Sequence, residues 1–317
     1  MAVTGRSLDD YAAPLFLAWQ LTNRCEAKCL ACCEESGPDR AWPDELQRAE
    51  ALDLARQAVA FDIPYVAFGG GEPLTVEFCW DLFAILADAG VALKIETNGS
   101  LIDRPAAATL ARLGVGCVQI SLDGATAATH QRVRPGSSFA DALAAVDRLV
   151  AAGIRPQWVF VPTRLNLHEM TAAYDMARRH GCSAFVTGPL MRIGRAAAAW
   201  DQLGCDPEQW RKASALLMAH AAQTDSKMAL SIYPWDIVSE LQERLVSPQA
   251  MLLVVPNGKV KLLNALPFAP ADLRRRSLAE AWKDYRAAWR SPTVRDFIER
   301  CRTDPRLLRH ANETWAV

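Results

Sequence analysis

The chain alternates between short apolar runs and longer stretches of helical spacing. Leu15-Phe16-Leu17-Ala18-Trp19-Gln20-Leu21 reads as a first strand, and further strands are predicted near Tyr65 to Phe68, Val91 to Glu96, Cys117 to Leu122, Gln157 to Val161 and Ala184 to Thr187. Between them apolar residues return with a helical period. Phe78, Leu82, Ile85 and Leu86 fall at i, i+4, i+7 and i+8, and Phe139, Leu143, Val146 and Val150 at i, i+4, i+7 and i+11, so each stretch predicts a helix with one apolar face. Gly90, Gly114, Gly153 and Gly181 each close a helical pattern ahead of a strand, where a left-handed residue costs glycine little. Six strands alternating with helices predict a parallel α/β sheet with right-handed crossovers.

From about Asp206 the alternation weakens. A helical stretch through Trp210 and His220, a short apolar run from Met228 to Tyr233, a helix through Leu245 and a segment from Met251 to Leu263 follow. Pro256-Asn257-Gly258 lies between Val-rich and Leu-rich arms and predicts a hairpin. Helices are expected from Ser277 to Cys301. The expected organisation is a lead over 1–14, a βα unit over 15–205 and a smaller α+β C-terminal extension over 206–317.

Composition changes this picture little. With 317 residues, 51% of them hydrophobic and 22% charged, the chain can bury a large core, and disorder is not expected. A net charge of −1 gives no global field to draw in nucleic acid or an anionic membrane. Locally, eleven Lys and Arg stand against six Asp and Glu between Asp272 and His310, which reads as a solvated helical face or a site for an anionic partner. No signal sequence and no membrane-length apolar run are present, so a soluble, cytoplasmic protein is expected.

The cysteines carry the chemistry. Of nine, Cys25, Cys29, Cys32 and Cys33 crowd one segment just after the first strand, while the other five are scattered. Clustered thiols in a reducing compartment point to metal or redox chemistry. Structural zinc would need a second CxxC or a spaced His pair, which His130, His168, His180, His220 and His310 do not form, and Cys29-Leu-Ala-Cys32 alone would serve as a redox pair. Three thiols spaced C-x3-C-x2-C can instead hold three corners of an iron–sulfur cubane, leaving the fourth iron open to a ligand. Cys33 reads as a bystander.

A C-x3-C-x2-C loop after the first strand, followed by Gly70-Gly71-Glu72-Pro73 after the second, resembles the radical S-adenosylmethionine (SAM) superfamily. The resemblance extends through Thr97-Asn98-Gly99, Ser121-Leu122-Asp123-Gly124 and Gly194-Arg195-Ala196, covering roughly Leu15 to Ala196. It implies a partial (β/α)6 TIM-like barrel with cofactors at the C-terminal ends of the strands. It also implies one [4Fe-4S] cluster on Cys25, Cys29 and Cys32, reductive cleavage of SAM, and hydrogen abstraction from a substrate C–H bond by a 5′-deoxyadenosyl radical.

By the same resemblance, Gly70, Gly71, Glu72 and Pro73 meet SAM, with Glu72 supporting the loop. Thr97 and Asn98 lie at the barrel mouth. Gln119 and Ser121 are candidates for the ribose or carboxylate of SAM, with Arg134 and Asn166 as second contacts; each reads equally well as a residue satisfying loop backbone. Arg195 is read as holding a substrate carboxylate or pairing on the surface, and His130 and His168 as polar residues at helix starts. Ala31 stands where the family often has an aromatic residue or His. No catalytic side chain is assigned.

Met251 to Lys261 with Ser277 to Trp282 resembles the SPASM extension of peptide-modifying members, but Val260-Lys261-Leu262-Leu263 lacks the cysteine expected there and Cys301 alone follows Cys205. The resemblance therefore implies a degenerate extension without auxiliary clusters. The implied partners are a ferredoxin or flavodoxin electron donor and a peptide or peptide-derived precursor as substrate. A small metabolite, such as a sugar or amino-acid derivative, is the alternative substrate class, and a non-catalytic iron–sulfur protein the alternative role.

Overall fold

The structure is a computed structural model that describes residues 8–317, so the first seven residues of the expected 1–14 lead lie outside it. Ten strands form one sheet: β1 (Phe16–Thr22), β2 (Tyr65–Gly70), β3 (Ala92–Thr97), β4 (Cys117–Ser121), β5 (Gln157–Phe160), β6 (Ala184–Thr187), β7 (Ala229–Ile232), β8 (Met251–Val254), β9 (Lys259–Lys261) and β10 (Ala271–Asp272). Their order is β10-β9-β8-β1-β2-β3-β4-β5-β6-β7. All pairs from β8 through β1 to β7 are parallel, and β9 and β10 are antiparallel. The fold is thus an α/β partial barrel, and its parallel run exceeds the six expected strands because β7 and β8 extend it at either end. β7 and β8 do not pair with each other, so the barrel keeps an open seam.

Alternation along the strands sorts the two faces of the sheet. Leu17, Trp19, Val66, Phe68, Leu93, Ile95, Val118, Ile120, Trp158 and Phe160 are buried under the helices. The Trp19 and Phe68 rings lie 5.5 Å apart and Phe68 and Phe83 4.8 Å apart, so strand and helix side chains interlock. The intervening residues form the other face, the inside of the barrel, where Gln20, Lys94, Glu96, Gln119, Ser121 and Gln157 stand among apolar residues such as Phe16, Ala18 and Val159.

Helices α1 (Arg48–Ala60), α2 (Cys79–Asp88), α3 (Arg104–Arg112), α4 (Ala127–Val133), α5 (Phe139–Ala151) and α6 (Met170–Arg179) fill the first five crossovers. The glycines that close four of these segments, Gly90, Gly114, Gly153 and Gly181, have φ of +79°, +66°, +88° and +78°, as their positions predict. The apolar face of α5 differs from expectation. Ala142, Ala145, Val146 and Leu149 are buried, whereas Val150 is 37% exposed. The helix docks through its smallest residues: a Cβ on Gly99 would sit 3.0 Å from Ala145 Cβ and 3.2 Å from Ala142 Cα. Close approach at Gly99 sets this rotation, which leaves Val150 toward solvent. No helix among the described residues is long and apolar enough to cross a membrane.

Candidate cofactor site

One cavity opens at the C-terminal ends of the parallel strands. Cys25, Cys29, Cys32, Gly70, Gly71, Glu72, Thr97, Asn98, Ser121 and Arg134 all line it, although they come from four different strand ends. Gln119, Pro73 and Asn166 do not line it. Gln119 Nε2 donates to Gln157 Oε1 at 2.8 Å, deeper on the barrel floor. Asn166 is fully buried, accepting from Thr163 N at 2.6 Å and donating to Asp123 O and Val161 O at 3.1 and 3.0 Å, so its amide has no capacity left for a ligand.

Each loop thiol faces a donor. Ser36 N lies 3.3 Å from Cys32 Sγ, Arg134 Nη1 3.6 Å from Cys29 Sγ and Asn98 Nδ2 3.8 Å from Cys25 Sγ. Burial pushes the Cys25 thiol up to about 12 and raises Cys32, with Arg195 pulling Cys32 the other way. These sulfurs become thiolates when a metal replaces the proton, and donors directed at sulfur are what an iron–sulfur cluster needs. The donor set fits that group. Among the described residues no three His, Cys, Asp or Glu side chains gather around a point as the ligands of a single ion would. Cys33 instead donates to Glu34 Oε2 at 2.7 Å.

Glu72 is the staple of the site. It is fully buried, and its carboxylate accepts from Thr97 Oγ1 at 2.8 Å, Asn98 N at 2.9 Å and Leu74 N at 3.2 Å, tying the loop after β2 to the loop after β3. Burial raises its pKa to about 7. Thr97 accepts from Gly99 N as well, so its hydroxyl is committed to structure.

Gly71 is expected to let the backbone approach SAM, but the close approach found here is to the chain itself. A Cβ on Gly71 would lie 2.0 Å from Arg24 O, one residue before the first loop cysteine. Gly71 N donates to Thr22 O at 2.7 Å and Glu72 N to Arg24 O at 2.9 Å. The glycine loop therefore supports the cysteine loop from below.

Arg134 is held by Asp123, its Nε donating to Oδ2 at 2.6 Å, while Oδ1 accepts from Val161 N at 2.6 Å. His130, expected at a helix start, lies in the last turn of α4 and is fully buried. Its Nδ1 faces Asp123 N at 3.2 Å, which fixes it as an acceptor and leaves Nε2 to donate to Ser137 Oγ at 3.1 Å. Burial, aided by the Arg134 charge, lowers its pKa to about 3. His168 is exposed and lies 3.9 Å from Glu169. Sequence reading missed Asp123, Glu34 and Glu96 as cavity residues. Asp123 was legible as the only acid in the motif after the fourth strand; Glu34 and Glu96 depend on the fold.

The profile of the radical SAM superfamily matches residues 19–177, which is 159 of 317 residues and just over half of the chain. Mycofactocin maturase MftC of Mycobacterium ulcerans (strain Agy99) is 36% identical over 192 residues, covering 60% of this chain and 51% of the relative. An AdoMet-dependent heme synthase of Methanosarcina barkeri (strain Fusaro) is 30% identical over 185 residues, covering 58% and 52%. The chain spans about half the length of these curated relatives. Streptococcus suis SuiB bound to S-adenosylmethionine shares the fold at a TM-score of 0.74 and 13% identity, over 94% of this chain and 72% of that one. SuiB bound to its precursor peptide SuiA gives 0.73 and 14%, over 94% and 71%.

Proposed function

Because the chain belongs to the radical SAM superfamily of enzymes, we propose that it modifies a peptide or peptide-derived precursor at a C–H bond. The family's cofactors, a [4Fe-4S] cluster and SAM, supply one-electron cleavage of SAM and abstraction of a substrate hydrogen. The observation that carries the reading is the convergence of Cys25, Cys29, Cys32, the Gly69–Glu72 loop and Arg134 around one cavity at the strand ends.

In this reading Cys25, Cys29 and Cys32 hold three irons, and the donors from Ser36, Asn98 and Arg134 offset thiolate charge. Ser121 presents a hydroxyl to the cavity, and the backbone of Gly69 and Gly70 lines it beside Glu96, leaving these groups to orient SAM. Glu72 fixes the loops around the cofactors without entering the reaction. A ferredoxin or flavodoxin delivers the electron.

The peptide assignment draws support from the maturase relatives. The test is anaerobic incubation of reconstituted, reduced protein with SAM and short peptides encoded beside its gene. Peptide-dependent 5′-deoxyadenosine and a mass change in the peptide are expected. Absence of 5′-deoxyadenosine from cluster-loaded protein would overturn the reading, and turnover of an iron porphyrin instead would overturn the substrate class.

A further inference from the structure

Arg195 lies between β6 and β7, far from the cysteine loop in sequence, yet grips that loop at two carbonyls. Its amide donates to Cys32 O at 3.0 Å and its Nε to Cys29 O at 2.7 Å. Gly194 makes this approach possible: with φ +53°, it sits where a Cβ would be 2.3 Å from Cys33 O. The remaining edge of the guanidinium is different. Nη2 is buried and has no hydrogen-bond partner, and no carboxylate among the described residues pairs with this cation. Arg134, the other guanidinium of the cavity, has Asp123 as its counter-charge. An unpaired cation with a buried, idle donor is costly, and such a group persists where an anion completes it. Arg195 lines the same cavity as Cys25, Cys29 and Cys32, so the sulfurs of the loop it grips are anions at hand.

We propose that Arg195 is the counter-charge of the iron–sulfur cluster, its free Nη2 donating to sulfur at the Cys32 corner and thereby raising the cluster's reduction potential. The inference rests on the reading that the loop carries a cluster. Because reduction adds negative charge, a cation held beside it favours the reduced state. Arg195 is thus a positioning residue, acting through the cluster rather than on substrate.

The experiment compares wild type, Arg195→Gln and Arg195→Lys after anaerobic reconstitution, without SAM or substrate, with circular dichroism of each apo chain as the folding control. Iron and sulfide per chain and the midpoint potential from a spectroscopic redox titration are read. The Arg195→Gln cluster should titrate at a more negative potential, and Arg195→Lys, which keeps the charge without the fork, should return toward wild type. An unchanged potential in Arg195→Gln would overturn the proposal; a SAM-binding titration of the same variant then shows whether the idle donor serves a carboxylate of SAM instead. Should Arg195→Gln hold no iron, Arg195→Lys decides: a potential near wild type supports the counter-charge, and one that falls with the charge intact overturns it. Failure of the wild type to assemble a cluster would instead sink the reading on which the inference rests.

Discussion

His130 converts pH into stability in a direction that the structure fixes. Its Nδ1 must accept from Asp123 N, and burial keeps the ring neutral, lowering its pKa to about 3. An unfolded histidine titrates near 6.5, so below that pH the unfolded chain binds a proton the folded one refuses. The stabilisation is therefore present above about pH 6.5 and is lost as pH falls toward 3. Between pH 7.5 and 5.5 the loss from this one group is about 1.4 kcal/mol, since the folded ring stays neutral throughout that window.

The assay is urea unfolding of the apo chain at pH 7.5 and 5.5, for wild type and for His130→Gln. Gln retains one acceptor and one donor but does not titrate. The remaining histidines are common to both proteins, so the difference of differences isolates His130. Wild type should lose about 1.4 kcal/mol more than the variant over this interval. Equal losses would refute the reasoning, meaning that His130 is charged in the fold or that Asp123 N does not depend on it. Function follows the same chain of contacts, because Asp123 holds Arg134 and Arg134 reaches Cys29 Sγ.

Combined substitution of Cys25, Cys29 and Cys32 by Ala should bring iron after anaerobic reconstitution to background, while Cys33→Ala keeps it; substantial iron in the triple variant would show that Cys182, Cys205 or Cys301 contributes to a site. Glu72→Ala strands three donors in a buried position and should destabilise the apo chain by at least about 3 kcal/mol in chemical unfolding, with a cost below 1 kcal/mol counting against the staple. Gly71→Ala should lower iron content as well as stability, because its Cβ would meet Arg24 O at 2.0 Å, whereas Gly69→Ala, facing only the movable Glu96 carboxylate at 3.0 Å, should do neither; loss of SAM binding alone in Gly71→Ala would restore the ligand-contact reading.

Much of the barrel is legible locally. The first six strands are written as short runs bounded by glycine-closed helices, and the loop that follows each carries its own motif. What local pattern does not encode is which polar side chain the fold uses up. Asn166 and Thr97 look like ligands in sequence and are spent on loop backbone and on Glu72. Arg195 looks like a surface or substrate residue and instead holds the cysteine loop 166 positions away. Only the register of β6 against the remaining strands brings it there. The helical count that chose Val150 over Ala142 failed for a related reason: volume at the contact with Gly99, and not apolarity, sets the rotation of α5.

The C-terminal hairpin shows the same limit and its consequence. Asn257-Gly258 announces the turn, and Gly258 has φ +80°. That β8 also pairs in parallel with β1 is not written in the turn. The unbroken Met251-Leu-Leu-Val run, with every residue buried, is the mark of a strand covered on both faces, which an edge hairpin would not need. Lys261, on the returning arm, is 3% exposed, its ammonium bonded to Ala311 O and acted on by Glu34 and Cys33 from the cysteine segment. Burial lowers it to about 8, a cost that a solvent-facing hairpin position would avoid. Asn312 adds hydrogen bonds to Cys33 O and Glu35 Oε2, both at 2.9 Å. The hairpin and the chain end thus brace the back of the cysteine loop while Arg195 and Gly71 hold it at other points. A loop proposed to hold iron on three thiols needs that many independent restraints, because one carbonyl slipping would move a ligand. The C-terminal segment thereby holds the cysteine loop still, through Lys261 packed beside it and Asn312 bonded to it.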